Sequence, residues 1–146
     1  MIGLLQRVSR ASVESAGAEL ARIGPGLLVF IGVQRADDAA RADRLVERML
    51  GYRVFADEDG RMNRSLRDVG GDLLLVPQFT LAADTARGLR ASFTPAAAPV
   101  DGERLFEYLC ARAAAEWPRT ARGRFGADMQ VSLVNDGPVT FWLEAC

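Results

Sequence analysis

The chain has 146 residues, 49% of them hydrophobic, and its 18 basic and 19 acidic residues give a formal net charge of −1. This length predicts a single domain over residues 1–146, because a chain of this size buries roughly 70% of its unfolded surface. The chain has no histidine, which excludes a Ser-His-Asp triad, a Cys-His dyad and a histidine-ligated zinc site, and the near-zero charge argues against general attraction to polyanions.

The first quarter of the chain carries strand and turn signals. Strands are predicted at Met1–Val8, Ser12–Glu14 and Leu20–Ile23, and the unbroken apolar run Leu27–Val33 predicts a strand that is buried on both faces. No apolar run approaches the roughly 20 residues of a membrane helix, and the start of the chain lacks a signal-peptide pattern. A cytoplasmic location is expected.

Two helices are predicted from apolar residues that recur at helical spacing. The first spans about residues 37–51 with Asp37 as its N-cap, and the second spans Asp101–Trp117, with Pro118 beyond its end. Cys110 falls inside the second helix and Cys146 is the last residue, so neither has metal-ligand spacing or belongs to a disulfide framework.

The remaining segments predict further strands and one long loop. Strands are expected at Tyr52–Phe55 and Asp72–Val76, and Pro77 should end the second because proline has no backbone N–H. Residues 82–99 are loop-like, and two final strands at about 128–134 and 139–144 flank Asn-Asp-Gly-Pro. The predicted fold class is α+β: largely antiparallel, barrel-like sheet with two main helices packed on it.

Gly137-Pro138 lies between the last two predicted strands. Asp-Gly between apolar runs favours a hairpin turn, and Gly24-Pro25-Gly26 offers a second Gly-Pro that turns between strands. The alternative is a functional element, since an X-Pro bond adopts the cis form at about 0.5–1 kcal/mol and glycine accepts backbone angles that other residues refuse.

Gln78-Phe79-Thr80 follows a strand end. The simplest interpretation is an edge strand with Phe79 in the core and Thr80 paired across the sheet. A functional interpretation is also open, because glutamine and backbone amides stabilise an oxyanion. Thr80 would be a poor nucleophile, since without histidine only Asp84 or Asp136 could serve as its base, and only if folding brought one within reach.

Motifs along nearly the whole chain resemble one family, D-aminoacyl-tRNA deacylase. The matching segments are Gln6–Val13, Ile23–Leu28, Met62-Asn63, Asp68–Gly71, Gln78–Leu81, Phe125–Val131 and Asn135–Thr140. The resemblance implies an aminoacyl-tRNA ester hydrolase that frees D-amino acid and tRNA without a cofactor or metal. The expected partners are the D-amino acid and 3′-terminal adenosine of the charged tRNA and a second copy of the chain, with no membrane or DNA.

The resemblance also implies roles for particular residues. Gly137 and Pro138 would form a Gly-cisPro chiral selector that enters the partner subunit's pocket and rejects L-aminoacyl-tRNA, which makes the protein a homodimer. Glycine has no side chain to reject, so glycyl-tRNA mischarged on tRNA(Ala) should also be hydrolysed. Gln78, Phe79 and Thr80 would form the catalytic wall, with Met129 lining the pocket and Arg7 supporting the Gly-Pro loop.

The catalytic group stays open at this point, and two positions depart from the family pattern. Two mechanisms are considered for the family: attack by Thr80 as the nucleophile, and catalysis assisted by the substrate's 2′-hydroxyl. The sequence offers no evident base for Thr80, which favours the second mechanism. Pro77 stands where the family has serine, and Ala91 where it has proline. Pro77 and the missing histidine motivate the alternative hypothesis, a non-catalytic tRNA-binding or dimerisation module that retains the fold.

Overall fold

The computed structural model describes residues 1–146 as eight strands and three α-helices. The strands are β1 Ile2–Ser15, β2 Ala18–Ile23, β3 Gly26–Gly32, β4 Phe55–Ala56, β5 Met62–Arg64, β6 Asp72–Pro77, β7 Thr120–Arg122 and β8 Gln130–Glu144. The helices are α1 Ala39–Gly51, α2 Leu66–Val69 and α3 Pro99–Glu116, and a short 3-10 helix spans Phe79–Ala82.

The long strand β1 organises the main sheet. One of its edges pairs antiparallel with β3 and then with β2, and its other edge pairs antiparallel with β8 along almost its whole length. Beyond β3 the sheet continues in parallel with β6 and β7. Because β2 also contacts β6 and β7, the sheet curls towards a barrel.

Two apolar cores lie on opposite faces of this sheet. The larger core fills the space between the sheet and helices α1 and α3, and the smaller one lies inside the curl. Strand β3 supplies both, with Leu27 and Val29 in the first and Leu28 in the second. The prediction of a strand buried on both faces is therefore confirmed.

The α+β class with a barrel-like sheet and two main helices is confirmed, and several local expectations are wrong. Met1–Val8 and Ser12–Glu14 belong to one continuous strand, β1, because β8 pairs across the predicted gap. The strand expected at Tyr52–Phe55 begins only at Phe55, and it pairs with β5, for which no strand was predicted from the sequence. The main sheet has three antiparallel pairings and two parallel ones, of β3 with β6 and of β6 with β7, so it is largely antiparallel as predicted.

The first helix begins two residues later than predicted. Its N-cap is Asp38, whose carboxylate accepts the N–H of Arg41 at 2.9 Å. The carboxylate of Asp37 is instead fully buried against the amino group of Met1, at 2.6 Å. No helix is both long and apolar enough to cross a membrane.

Candidate functional site

A pocket of about 470 Å³ opens where β3 and β6 end. Pockets of this size accept small molecules and are mostly apolar, with a few polar groups that orient the ligand. Its lining residues are Phe30, Ile31, Val33, Val76, Pro77, Gln78, Phe79, Ala97, Pro99, Gly102, Phe106, Phe125, Gly126, Ala127, Met129 and Val131.

The segment Gln78–Thr80 forms one wall of this pocket because the chain leaves the sheet there. Strand β6 ends at Pro77, the N–H of Gln78 makes a last bond to the carbonyl of Ile31 at 2.8 Å, and the 3-10 helix follows. Gly32 permits the close packing of that helix, since a Cβ there would lie 2.9 Å from the Cβ of Leu81.

The expectation of an edge strand at this segment is wrong. Phe79 is 60% exposed rather than buried in the core, and its ring packs on that of Phe93 with centroids 5.1 Å apart. Thr80 lies in the 3-10 helix and is exposed, so it pairs with no strand. Pro77 ends the strand, as predicted.

Gln78 and Thr80 form a small polar group at the mouth of the pocket. The side-chain amide of Gln78 donates to the Thr80 hydroxyl at 2.7 Å, which leaves its second amide hydrogen and the hydroxyl proton free to donate. The backbone N–H groups of Phe79 and Thr80 precede the first bond of the 3-10 helix, from Leu81 to Gln78 at 3.2 Å. No carboxylate of the same chain makes a hydrogen bond to Thr80, so the structure gives its hydroxyl no base within one subunit.

The opposite wall comes from the segment before β8. Phe125 and Met129 both face the cavity, and Phe125 also packs near Phe106 of α3, with ring centroids 6.3 Å apart. The Met129 side chain contacts the second core. The pocket therefore rests on both cores, which makes this wall rigid.

Asn135–Thr140 is a bulge in β8, and the expectation of a hairpin is wrong. The residues on either side both pair with β1: Gln6 faces Thr140 and Val8 faces Asn135, so the chain between them loops outwards. The Gly137-Pro138 peptide is cis and both residues are exposed. Gly137 has a φ of 126°, a conformation that favours glycine.

Arg7 and Asn135 hold the bulge in place. The guanidinium of Arg7 donates to the carbonyl of Asp136 at 3.0 Å and to the carbonyl of Val54 at 2.7 Å. The Asn135 side chain accepts the N–H of Val139 at 3.1 Å and donates to the Thr140 hydroxyl at 2.9 Å. The bulge is thus a fixed projection of the surface.

Within one chain, the residues predicted to form a site occupy two separate places. Gln78, Phe79 and Met129 line the pocket, and Thr80 is bonded to Gln78 at its mouth. Gly137, Pro138 and Arg7 do not line it. Sequence reasoning missed Phe93 and Phe106 as site residues, and helical periodicity assigns Phe106 to the core, where it also belongs.

The α+β fold thus presents a small-molecule pocket with hydrogen-bond donors at its mouth, an arrangement compatible with a binding protein or with an enzyme. A sequence model of the family described as D-Tyr-tRNA(Tyr) deacylase matches residues 4–144. The chain belongs to this family. The family predicted from the sequence is confirmed, and with it the enzyme class, a hydrolase.

Individual relatives agree with this assignment. A D-aminoacyl-tRNA deacylase of Alkalilimnicola ehrlichii is 65% identical over 145 residues, which is 99% of this chain and 97% of the relative. One of Stutzerimonas stutzeri is 63% identical over 99% of this chain and all of its own.

Solved structures show the same fold. A c-Myc DNA unwinding element binding protein superposes with a TM-score of 0.95 at 34% identity, covering 100% of this chain and 99% of its own. A probable eukaryotic D-amino acid tRNA deacylase, at 17% identity, has a TM-score of 0.86 over 98% of both chains.

Proposed function

We propose that this protein is a homodimeric esterase that hydrolyses D-aminoacyl-tRNA to free D-amino acid and tRNA in the cytoplasm. The observation that carries the proposal is the pairing of an apolar pocket that has donor groups at its mouth with a rigid, exposed Gly-Pro bulge outside that pocket. The names of the relatives, D-aminoacyl-tRNA deacylase, support the same substrate.

In this proposal the pocket receives the charged 3′ end of tRNA. Its volume of about 470 Å³ suits an aminoacyl-adenosine, and the aromatic rings of Phe79, Phe93 and Phe125 offer faces to the base. Base–aromatic stacking contributes about 1–3 kcal/mol per base. The ester would then lie at the mouth, beside Gln78 and Thr80.

The donor groups of this mouth suit ester hydrolysis without a covalent intermediate. Water attacks the ester carbonyl carbon, and the oxyanion accepts hydrogen bonds from Gln78, the Thr80 hydroxyl or the free N–H groups of Phe79 and Thr80. The bond to the 3′-oxygen breaks, and the adjacent 2′-hydroxyl of the substrate hydrogen-bonds that oxygen as it takes up the proton from water. Thr80 is not assigned as the nucleophile, because no base in this chain contacts its hydroxyl.

Chiral selection is assigned to Gly137 and Pro138 of the partner subunit. Enantiomers exchange hydrogen and side chain at Cα, so discrimination needs a fixed obstacle where the L side chain would project. The bulge supplies main-chain atoms for such an obstacle, and Arg7 holds it from behind. Because D side chains point away from it, many are accepted, and glycyl-tRNA mischarged on tRNA(Ala) is hydrolysed as well.

The deciding experiment compares hydrolysis of D-tyrosyl-tRNA and L-tyrosyl-tRNA by the purified protein. The proposal predicts release of D-tyrosine and stable L-tyrosyl-tRNA. Equal hydrolysis of the two esters, or none, contradicts it. Glycyl-tRNA(Ala) as a third substrate tests the expected tolerance for glycine.

A second candidate is a nucleic-acid-binding module without catalysis. It is favoured by the name of the structural relative with 34% identity, a c-Myc DNA unwinding element binding protein. This candidate predicts tRNA or DNA binding with no ester cleavage, so D-selective turnover in the same assay removes it.

A further inference from the structure

Several arginines on the segments around the pocket have no partner in this chain. Arg35, Arg87, Arg90 and Arg124 are exposed, and their side chains make no hydrogen bond or ion pair. Arginines elsewhere are mostly neutralised: Arg22 pairs with Glu19, Arg44 with Glu47, Arg119 with Asp72 and Arg122 with Glu107. Of the other unpaired ones, Arg10 is on β1 and Arg53 and Arg61 flank β4.

The four unpaired arginines near the pocket lie on segments that continue from its walls. Arg35 lies two residues after Val33, which lines the pocket, and its backbone N–H donates a hydrogen bond to the carbonyl of Pro95 at 3.0 Å. Arg124 immediately precedes the lining residue Phe125. We call these four residues the arginine rim.

Arg87 and Arg90 lie on a projecting loop rooted at the pocket mouth. Asp84 and Ser92 close its base with two backbone bonds, of 2.7 Å and 2.9 Å. Asp84 comes two residues after the 3-10 helix that carries Phe79, and Ser92 precedes Phe93, whose ring packs on Phe79. Leu89 at the tip is fully exposed, so the tip rests on nothing in this chain.

The three loop segments beside the pocket, residues 33–35, 83–97 and 123–129, carry the four rim arginines against two aspartates, Asp84 and Asp128. The α3 wall adds Asp101, Glu103 and Arg104, so the pocket surroundings keep a small positive charge in a chain of net charge −1. Exposed arginines left unpaired in this way are well suited to phosphate, which their planar fork binds with two hydrogen bonds.

We propose that the arginine rim binds the phosphates of the tRNA acceptor arm and so positions the charged 3′ end in the pocket. The inference rests on the proposed function, and it adds the surface that recognises the RNA. The loop of Arg87 and Arg90 is rooted at the pocket mouth, so these two arginines are placed to meet the phosphates next to the terminal adenosine. Contacts to phosphate supply affinity without sequence preference, which lets one enzyme treat many tRNAs.

The test is the double variant Arg87→Gln/Arg90→Gln, assayed with D-tyrosyl-tRNA and with D-tyrosyl-adenosine, which has no stem phosphates. Each lost charge-assisted contact is expected to raise KM for the tRNA substrate about tenfold, with little change in kcat. The slope of log affinity for uncharged tRNA against log salt should flatten by about 1 to 2. Hydrolysis of D-tyrosyl-adenosine should not fall in parallel.

A control double variant, Arg22→Gln/Arg44→Gln, removes the same charge from exposed arginines that are already paired, on β2 and α1. The inference is overturned if the two double variants have equal KM values for tRNA, if the loss is as large with D-tyrosyl-adenosine, or if the Arg87→Gln/Arg90→Gln protein changes its oligomeric mass, which would make the loop a subunit contact. If the unmodified protein hydrolyses no D-aminoacyl ester at all, the proposed function fails, whereas loss confined to the rim variant leaves that function intact.

Discussion

The chain contains the dipeptide Gly-Pro at two positions, and the two have different surroundings. Gly24-Pro25 turns between β2 and β3 and is bonded to β6. The carboxylate of Asp72 accepts the N–H of Gly24 at 2.9 Å, and the backbone N–H of Asp72 donates to the carbonyl of Pro25 at 3.0 Å. Gly137-Pro138 projects from a bulge that Arg7 holds from behind, and its peptide is the one cis bond of the chain.

The same dipeptide therefore has different structural roles, which its surroundings determine. At the first position the neighbouring glycine lets two strands approach, since a Cβ on Gly26 would lie 1.9 Å from the carbonyl oxygen of Asp72. At the second, the surrounding hydrogen bonds support exposed main-chain atoms that touch no core. The first Gly-Pro thus turns the chain beside a close contact between β3 and β6, and the second is available to a ligand or a partner.

The largest effect on stability is expected from Gly26→Ala, which tests whether the close approach of β3 and β6 beside the first Gly-Pro requires glycine. The new methyl group collides with the backbone of Asp72 and forces β3 and β6 apart, which should lower the free energy of unfolding by about 4 kcal/mol or more. Chemical denaturation measures this change.

The reactivity of the Cys110 thiol is a second, independent measure of this loss of stability. Burial raises the pKa of its thiol to about 12, so in the intact fold it stays protonated and inert to thiol reagents at neutral pH, whereas the exposed Cys146 reacts. In Gly26→Ala a second thiol should react. If the variant is as stable as the parent and Cys110 stays protected, the structural account of this Gly-Pro is wrong.

Gly137→Ala should have the opposite profile. A side chain at a φ of 126° is strained, and its Cβ would lie 2.8 Å from a guanidinium nitrogen of Arg7, so the bulge must shift. We expect a loss of about 1–3 kcal/mol in stability with Cys110 still protected. The ratio of D- to L-tyrosyl-tRNA hydrolysis should fall by about tenfold or more, since about 1.4 kcal/mol of lost discrimination is a factor of ten. An unchanged ratio would show that the bulge does not select.

A smaller effect is expected from Arg7→Lys, which keeps the charge but loses the fork that reaches Asp136 and Val54 together. Chiral discrimination should drop by about threefold to tenfold, because one charge-assisted hydrogen bond contributes about 1.5 kcal/mol. Arg10→Lys on the same strand is the matched control, since Arg10 makes no side-chain hydrogen bond. Equal D/L ratios in the two variants would remove Arg7 from the selector.

The smallest effect is expected from Thr80→Ala. If the substrate's 2′-hydroxyl supports the chemistry and Thr80 only donates one of several hydrogen bonds, kcat should fall by less than about tenfold. Near-total loss of activity with tRNA binding intact would instead make Thr80 essential to the reaction.

The sequence predicted those features of the fold that follow from local patterns. The apolar run of β3 and the spacing of α1 and α3 identify elements that bury one or both faces. The bulge in β8 was predicted as a hairpin because Asp-Gly-Pro between apolar runs favours a turn. The two parts of β8 on either side of the bulge both pair with β1, so they form one strand and not a hairpin. This contact joins the two ends of the chain, and no local pattern reveals it.

In the candidate site, too, the features that follow from local sequence were predicted and those that depend on distant contacts were not. The motif around Gln78 indicated donor groups at a strand end, and the structure has them there. The 3-10 helix that exposes Phe79 depends on Gly32 of a different strand, so no local pattern announces it. Asp37 reads as a helix cap, yet it binds the amino group of Met1, a partner 36 residues away.

In the proposed mechanism, Gly137-Pro138 of one subunit acts at the pocket of the other, and a mixed dimer tests this arrangement. One subunit carries Gly137→Ala and an intact pocket, and the other carries Ala127→Trp, whose indole fills the pocket, with an intact bulge. Separate affinity tags allow the mixed dimer to be purified, and D- and L-tyrosyl-tRNA hydrolysis is measured for it and for both single-variant dimers.

If the bulge acts across the interface, the mixed dimer contains one complete site, formed by the intact pocket of the first subunit and the intact bulge of the second. Its D-tyrosyl-tRNA activity should then be about half that of the unmodified dimer, with full discrimination against the L-ester. If the mixed dimer instead discriminates as poorly as the Gly137→Ala dimer, the bulge acts within its own subunit and the account is contradicted.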